Sequence, residues 1–174
     1  EFMGLEFQVN EHVLVPRQDT EVLVEETLKV LEPEMNVLDM CTGSGCIIIS
    51  LMKFAKAISG TAVDISEDAL KVAKRNAEKL EADVKFVHSD LFEEVNETYD
   101  VIVSNPPYIR TAVIEELKEE VKFHDPFLAL DGKEDGLYFY RKIINESTDY
   151  LKQNGRLYFE IGHEQGEDVK RLME

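Results

Sequence analysis

The sequence is poor in cysteine, tryptophan and basic residues. Of its 174 residues, two are cysteine, none is tryptophan, and 19 are lysine or arginine against 36 acidic residues. Cys41 and Cys46 have no zinc-ligand spacing and the four histidines are scattered, so we predict that the protein holds no metal. We interpret both thiols as small packing residues in a reducing compartment.

The net charge and the hydrophobic pattern argue against two further classes of protein, nucleic-acid-binding proteins and membrane proteins. A formal net charge of −17 gives a surface that repels phosphate backbones, which disfavours nucleic acid as a partner. No apolar run approaches the roughly 20 residues of a membrane span, and no signal peptide is visible. We therefore expect a cytoplasmic protein that does not associate with a membrane. Its 44% apolar content is enough for one buried core.

From residue 36 onward, short apolar segments alternate with helical ones. Strands are predicted at residues 37–40, 61–64, 84–87, 99–103 and 156–161, and helices at 46–54, 66–79, 136–152 and 166–174. Such alternation predicts an α/β fold with a mostly parallel sheet, helices on both faces and ligands at the carboxyl ends of the strands. Residues 5–15 alternate like a short β-hairpin, and Asp19 or Thr20 is predicted to cap the next helix.

The fourth predicted strand ends in the motif Ser104-Asn105-Pro106-Pro107-Tyr108. Paired prolines lack the N–H donors of a sheet ladder, so the strand must stop at Asn105. The side-chain oxygen of Asn105 and the main-chain oxygen of Pro106 can accept both N–H bonds of a planar amide or amine, with Tyr108 as a wall. This arrangement predicts catalysis by positioning a weak nitrogen nucleophile, without a metal or a covalent nucleophile.

Three further segments fall at the same edge of the predicted sheet. The glycine-containing loop at residues 39–45 permits close backbone approach to a ligand, although a tight strand–helix turn is the simpler interpretation. Asp64 follows at the spacing of an acid that binds ribose hydroxyls, and Asp90 is a candidate for an adenine amine, with Leu91 or Phe92 packed on the ring. Helix capping and an ordinary loop carboxylate are the alternatives for these two acids.

A nucleoside-containing cofactor fits these segments. A dinucleotide-binding loop would need glycine at the position of Ile48, which argues against a nicotinamide oxidoreductase. S-adenosyl-L-methionine satisfies the pattern without demanding a pyrophosphate site.

Seven segments, in order along the chain, resemble the Rossmann-like class I S-adenosylmethionine methyltransferases, and within them the HemK-type protein-(glutamine-N5) methyltransferases of peptide-chain release factors. They are residues 15–21, 39–45, 62–66, 89–92, 102–109, 128–132 and 160–162. The resemblance implies methyl transfer to the side-chain amide of the glutamine in a Gly-Gly-Gln motif, with S-adenosyl-L-homocysteine as product. The implied partner is a peptide-chain release factor.

The resemblance also implies roles for individual residues. Those implied for the cofactor are Cys41, Thr42, Gly43, Ser44, Gly45, Asp64, Asp90, Leu91 and Asn105. Those implied for the substrate are Asn105, Pro106, Pro107 and Tyr108, and of these Asn105, Pro106 and Tyr108 are implied to be catalytic. Cys41 stands where the family usually has glycine, and Gln18 where it commonly has proline.

The family normally carries an N-terminal helical domain and a final pair of strands. We therefore interpret residues 1–15 as a hairpin linker from a missing N-terminal domain. Residues 16–174 are then a methyltransferase domain that is truncated at its C terminus.

Alternatives remain at several points. Amino-methyltransferases of nucleic acid share the Asn-Pro-Pro-Tyr motif, and a non-catalytic S-adenosylmethionine-binding module is a further possibility, against which the intact Asn105 and Asp64 argue. Arg17 fits a solvated surface position and a site role equally well. Residues 111–124 are expected to form a mobile wall over the substrate, with a solvated helix as the alternative. His124 is expected to be a loop residue and not a general base.

Overall fold

Five parallel strands form the centre of the computed structural model, which describes residues 1–114, 116 and 125–174. The strands are β1 (Asn36–Met40), β2 (Ser59–Asp64), β3 (Val84–His88), β4 (Tyr99–Ser104) and β5 (Leu151–Phe159). They lie in the order β3-β2-β1-β4-β5, and each neighbouring pair is parallel. The chain runs outward from β1 to β3 and then returns to β4. This reversal leaves a crevice beyond the carboxyl ends of β1 and β4, where α/β sheets bind ligands.

Helices cover both faces of the sheet, as the sequence predicted. They are α1 (Gln18–Leu28), α2 (Cys46–Phe54), α3 (Glu67–Lys79), α4 (Thr111–Ile114), α5 (Phe127–Leu130), α6 (Tyr138–Ser147) and α7 (Gly166–Met173). Side chains of α1, α2 and α3 pack in one core cluster, Ile143 of α6 packs in a second, and Ala69 and Val72 of α3 pack with Val13 in a third. The α/β fold class with a parallel sheet is therefore confirmed.

Successive residues of β1 face opposite cores. Val37 packs with α1 and α2, while the next residue, Leu38, packs with α6, and neither is exposed to solvent. This alternation follows from the two-residue period of a strand. A strand buried on both faces is apolar along its length. The strand ends that carry the site are therefore held by packing from both sides.

Several element boundaries agree with the sequence. Helix α2 has the predicted bounds, and α3 begins after Ser66, whose side chain accepts a hydrogen bond from Ala69 N at 3.2 Å. Helix α1 begins at Gln18, before the predicted caps Asp19 and Thr20. Thr20 is 3% exposed because it faces the interior. The cap position precedes the first helical residue and falls on Arg17, so residues inside the first turn cannot serve as the cap.

The hairpin expected at residues 5–15 is not formed. Within residues 1–15, all of which the structure describes, the β-bridge found joins Phe2 and Leu5. The backbone donors of this segment bind distant side chains: Gln8 N donates to Asn76 Oδ1 at 2.7 Å, and Val15 N donates to Asp125 Oδ1 at 3.2 Å. These tertiary hydrogen bonds replace the cross-strand pairs. The division of the chain at residue 15 stays a prediction.

The helix predicted at 136–152 is too long. Helix α6 ends at Ser147 and β5 begins at Leu151, so the Asn154-Gly155 pair lies within β5 and does not cap a helix. Asn154 has φ +64, and the pairing with β4 shifts register between Tyr99 and Val101. An Asn-Gly pair favours left-handed backbone both at helix ends and at irregular points in strands, so the pattern alone does not distinguish them.

In the part of the chain that the structure describes, no helix has the length and apolar character to span a membrane.

Candidate functional site

A cavity of about 340 Å³ lies at the carboxyl edge of the sheet. Its wall includes residues that follow β1, β2, β3 and β4. Of the residues predicted from sequence, those that line it are Cys41, Thr42, Gly43, Ser44, Asp64, Asp90, Leu91, Asn105 and Pro107. The structure therefore brings the glycine loop, both acids and the asparagine to one place, although they are far apart in sequence.

Gly45, Pro106 and Tyr108 do not line this cavity. Gly45 has φ +80 at the start of α2, and a Cβ there would lie 2.9 Å from Ile49 Cδ1 and 3.1 Å from Ala73 Cβ. A residue with a side chain would therefore separate α2 from α3. Gly45 shapes the loop without facing the cavity.

The loop after β1 is fixed by hydrogen bonds at both ends. Thr42 N donates to Val63 O at 2.9 Å, and Gly45 N donates to Thr42 O at 2.9 Å. Cys41 and Gly43 have φ values of +62 and +54, in the left-handed region that favours glycine. The position where the family usually has glycine thus requires a left-handed backbone, which Cys41 adopts.

Asp39 organises this loop from beneath, a role that the sequence did not single out. Its Oδ2 accepts from Thr42 Oγ1 at 2.6 Å and from Ile48 N at 3.3 Å. Its Oδ1 is buried and has no hydrogen-bond partner among the described residues. Burial raises the pKa of Asp39 to about 7, although the hydrogen bonds from Thr42 and Ile48 lower it. The charge of Asp39 therefore changes near neutral pH.

Asp64 ties the end of β2 to the glycine loop. Its Oδ2 accepts from Gly43 N and its Oδ1 from Ser66 N, both at 2.9 Å. Burial raises the pKa of Asp64, while these backbone hydrogen bonds lower it. A carboxylate oxygen has more than one acceptor position, so these bonds leave room for a ligand hydroxyl. Asp64 is placed to hold the loop and a ligand together.

The segment after β3 supplies one apolar and one acidic group. Asp90 and Leu91 line the cavity, and Leu91 is 4% exposed. Phe92, the other candidate for packing on an adenine ring, turns into the core and stacks on Tyr150, with ring centroids 4.5 Å apart. Leu91 is therefore the candidate that the structure supports.

Strand β4 ends at Ser104, one residue before the predicted stop at Asn105. Asn105 lies next in the cavity wall, with its Nδ2 atom 3.5 Å from Thr20 Oγ1 of α1. Ser104 Oγ donates to Met40 O at 2.6 Å and so joins the ends of β4 and β1. The asparagine is thus carried on a rigid strand end. Thr20, which was considered a helix cap, is a cavity residue that the sequence did not reveal as such.

The segment at 128–132 braces the proline motif from behind. Ile109 N donates to Leu130 O at 3.0 Å, and Gly132 N donates to Ile109 O at 2.8 Å. A Cβ on Gly132 would lie 2.7 Å from the Tyr108 backbone. These contacts fix the backbone at Tyr108, which does not line the cavity.

The first residues of the chain form another wall. His12, Val13, Leu14 and Pro16 line the cavity, as do Pro126, Leu128 and Ala129. Asp125, with a side chain 1% exposed, accepts from Arg17 Nη2 at 2.6 Å and from Val15 N at 3.2 Å. Arg17 therefore ties two walls together and does not itself line the cavity. His124, with residues 115 and 117–123, lies outside the described residues.

Comparison with known families agrees with this geometry. Residues 18–122, which carry the glycine loop, both acids and the proline motif, match the family model described as methyltransferase small domain. The chain belongs to this methyltransferase family. The methyltransferase fold expected from the sequence is therefore confirmed.

This methyltransferase domain is similar to curated proteins along its whole length. It is 45% identical over 181 residues to the release factor glutamine methyltransferase of Clostridium acetobutylicum, covering 100% of this chain and 64% of that protein. It is 46% identical over 173 residues to that of Streptococcus pneumoniae, covering 99% and 62%. The chain thus spans less than two thirds of the length of these relatives.

A solved structure shows the same methyltransferase fold. The methyltransferase from Pyrococcus furiosus superposes with a TM-score of 0.71 at 20% identity, covering 98% of this chain and 77% of that one. Within the described ranges of this chain, no group of three or more His, Cys, Asp or Glu side chains is placed to hold a metal ion.

Proposed function

We propose that this domain transfers a methyl group from S-adenosyl-L-methionine to the side-chain amide nitrogen of the glutamine in the Gly-Gly-Gln motif of a peptide-chain release factor. One observation carries the proposal: Asn105, on the end of β4, lines the same cavity as Gly43 and Asp64. The names of the relatives support the same substrate. A release factor acts on ribosomes, so the reaction takes place in the cytoplasm.

The cavity suits the cofactor in size and in donor set. Its volume of about 340 Å³ lies in the range of small-molecule sites, roughly 300–1,000 Å³. In this proposal Asp64 accepts from the ribose hydroxyls, Asp90 accepts from the adenine amine, and Leu91 packs on the ring. The loop at 41–45 approaches the remaining part of the molecule. The bound cofactor supplies an electrophilic methyl group on its sulfonium sulfur.

The proline motif holds the acceptor nitrogen. A primary amide is a poor nucleophile because its lone pair is delocalised, so its orientation decides the rate. Asn105 Oδ1 and Pro106 O accept its two N–H bonds and aim the nitrogen at the methyl group. Positioning of this kind contributes up to about 7–11 kcal/mol in model reactions. The amide nitrogen would gain the methyl group as the bond from that methyl to the sulfonium sulfur breaks, with S-adenosyl-L-homocysteine as the second product and one amide proton lost to water. Such a transfer needs no metal and no covalent intermediate on the protein.

Incubation with full-length release factor and labelled S-adenosylmethionine tests the proposal. We expect one added methyl group on the Gly-Gly-Gln peptide, read by mass spectrometry of a digest. A release factor with the glutamine replaced by alanine should stay unlabelled. Label on DNA or RNA, or on another residue of the release factor, would assign a different acceptor and overturn the proposal.

The variant Asn105→Ala separates an enzyme from a binding module. We expect it to retain cofactor binding by calorimetry and to lose at least about 100-fold in kcat, the scale of a misplaced reacting group. Ser147→Ala, a change at a buried hydroxyl far from the cavity wall, is the matched control. Equal turnover by Asn105→Ala and wild-type protein would remove the asparagine from the reaction.

A further inference from the structure

Glu160 lies directly after β5, beside the end of β4. Its backbone N donates to Ser104 O at 3.0 Å, which continues the β4–β5 ladder by one bond. Its carbonyl oxygen accepts from Tyr140 Oη at 2.9 Å. The backbone of Glu160 is therefore held level with the proline motif by two elements.

Because Phe159 pairs with Ser104 in the parallel ladder, Glu160 is level with Asn105, whose Nδ2 atom lies 3.5 Å from Thr20 Oγ1. Burial raises the pKa of the Glu160 carboxyl group, while the side chains of Thr20 and Asn105 lower it. Its Oε2 atom is buried and has no hydrogen-bond partner among the described residues. A buried carboxylate oxygen without a donor is uncommon in folded proteins and calls for an explanation. Thr20 and Asn105 line the cavity, and Glu160 does not.

We propose that Glu160 is a positioning residue whose carboxylate holds the Asn105 side-chain amide with its nitrogen away from the cavity and its oxygen toward the substrate. This inference rests on the proposed function. An asparagine amide has two orientations of nearly equal shape, and they differ in whether a donor or an acceptor faces a ligand. Only the acceptor can bind the N–H bond of a substrate amide.

The choice between the two orientations needs an acceptor that cannot also donate. Thr20 Oγ1 lies 3.5 Å from Asn105 Nδ2, but a hydroxyl donates as readily as it accepts, so it tolerates either orientation. An ionised carboxylate only accepts. Glu160 therefore favours the orientation in which the Asn105 nitrogen points toward it.

The ionisation of Glu160 depends on its surroundings. Burial is the largest influence and raises its pKa, the side chain of Thr20 lowers it, and the nearby charge of Asp19 raises it. The other titratable groups near it are Tyr108, Tyr140 and Cys46, whose own pKa values are raised in part by the charge of Glu160. Once protonated, Glu160 offers a donor and no longer distinguishes the two amide orientations. Activity should therefore fall on the acid side of the pH profile.

The variant Glu160→Gln tests the proposal in the full chain. The new amide donates and accepts, so we expect kcat to fall on the order of 10–100-fold, with KM for S-adenosylmethionine within about twofold of wild type. The acid limb of the pH profile should move or disappear. Glu160→Asp keeps an acceptor-only group and should retain that limb and more of the activity. Glu164→Gln, the same change at an exposed position nearby, is the control and should resemble wild type.

A second measurement does not depend on the substrate. In the ligand-free protein, the side-chain amide resonances of Asn105 should titrate in wild type, with a pKa above that of an ordinary glutamate, and should not titrate in Glu160→Gln. If they titrate but no release factor is methylated, the proposed function fails while the positioning role stands. Wild-type kcat and pH profile in Glu160→Gln, or Asn105 resonances that ignore pH in wild type, would overturn the positioning role. If Glu160→Gln does not fold, Glu160→Asp decides the question. This variant is expected to keep the acid limb, and loss of that limb would overturn the positioning role.

Discussion

Arg17 and Asp125, 108 residues apart, form an ion pair of 2.6 Å between two segments that line the cavity. The pair is asymmetric, because the side chain of Asp125 is 1% exposed and that of Arg17 is 48% exposed. Among the described residues, removal of the arginine would leave Val15 N as the one donor to this buried carboxylate. The ion pair therefore couples the stability of the fold to the closure of the cavity wall.

Arg17→Met should lower the free energy of unfolding by about 1–3 kcal/mol, the cost of an under-satisfied buried acceptor, reduced because the arginine is half exposed. Urea denaturation measures this change. Cofactor affinity should fall as well, because the ion pair no longer connects the two cavity-lining segments. Arg110→Met, at an exposed position, is the control. Equal stability of the Arg17 variant and wild type would show that the ion pair contributes nothing to the free energy of unfolding.

Asp64→Asn should weaken the binding of S-adenosylmethionine by about 1.5–3 kcal/mol, the worth of hydrogen bonds to a charged group. The change removes the charge that accepts from Gly43 N and Ser66 N and, in the proposed function, from the ribose. Calorimetry gives the affinity. Asp68→Asn, at a half-exposed carboxylate on α3, should bind as wild type does. Unchanged affinity in the Asp64 variant would take this carboxylate out of the cofactor site.

Asp39 should make the protein less stable as pH rises. Its pKa is raised from 3.8 to about 7 in the folded state, so between these values the folded protein holds a proton that the unfolded chain has released. The free energy of unfolding then falls with pH in this interval, by up to about 1.4 kcal/mol per pH unit, and levels off above pH 7.

The variant Asp39→Asn should remove this slope, since the amide oxygen still accepts from Thr42 and Ile48 but does not ionise. In denaturation experiments at several values of pH, the free energy of unfolding of the variant should increase relative to that of wild type as pH rises. Asp83→Asn, at an exposed position, serves as the reference. Parallel curves for the Asp39 variant and wild type would mean that the carboxyl group does not titrate in this range.

Gly132→Ala should disturb the proline motif from behind. The added Cβ would lie 2.7 Å from the Tyr108 backbone and 2.9 Å from Gly136 Cα, and none of these atoms belongs to a flexible side chain. Overpacking of this kind costs about 1–3 kcal/mol. We expect a lower melting temperature and a kcat reduced along with it. Gly166→Ala, whose new Cβ would meet its nearest atom at 3.7 Å, should be tolerated. A fully active and stable Gly132 variant would contradict the proposed bracing role.

Much of the sheet could be predicted because buried parallel strands are short, apolar and followed by clear helix signals. Ser66 with two acids after it fixed the start of α3, and the paired prolines fixed the end of β4. Errors arose where one residue pattern suits two structures. The Asn154-Gly155 pair suits a helix end and an irregular strand equally well. The alternation at residues 5–15 suits a hairpin, but backbone N–H groups of this segment donate to the side chains of Asn76 and Asp125 instead of to a partner strand.

The candidate site was predictable in part for the same reason. Residues that follow successive parallel strands must share one edge, which placed Gly43, Asp64 and Asn105 together. Sequence does not show which way a side chain turns, so Phe92 and Tyr108 were expected at the cavity, whereas Phe92 stacks on Tyr150 and Tyr108 does not line the cavity. Thr20 and Glu160 lie in segments 15–21 and 160–162, which carry the resemblance, but they were given no site role because only the folded chain brings them to the end of β4.

The cavity wall draws on residues from His12 to Phe139, so no short piece of the chain can hold its ligand alone. Binding of a ligand in the cavity is for this reason thermodynamically linked to cooperative unfolding of the domain. Each tenfold rise in ligand above its Kd should add about 1.4 kcal/mol to the resistance of the entire domain to heat. Slower amide exchange would then spread through the central strands and would not stop at the residues in contact with the ligand.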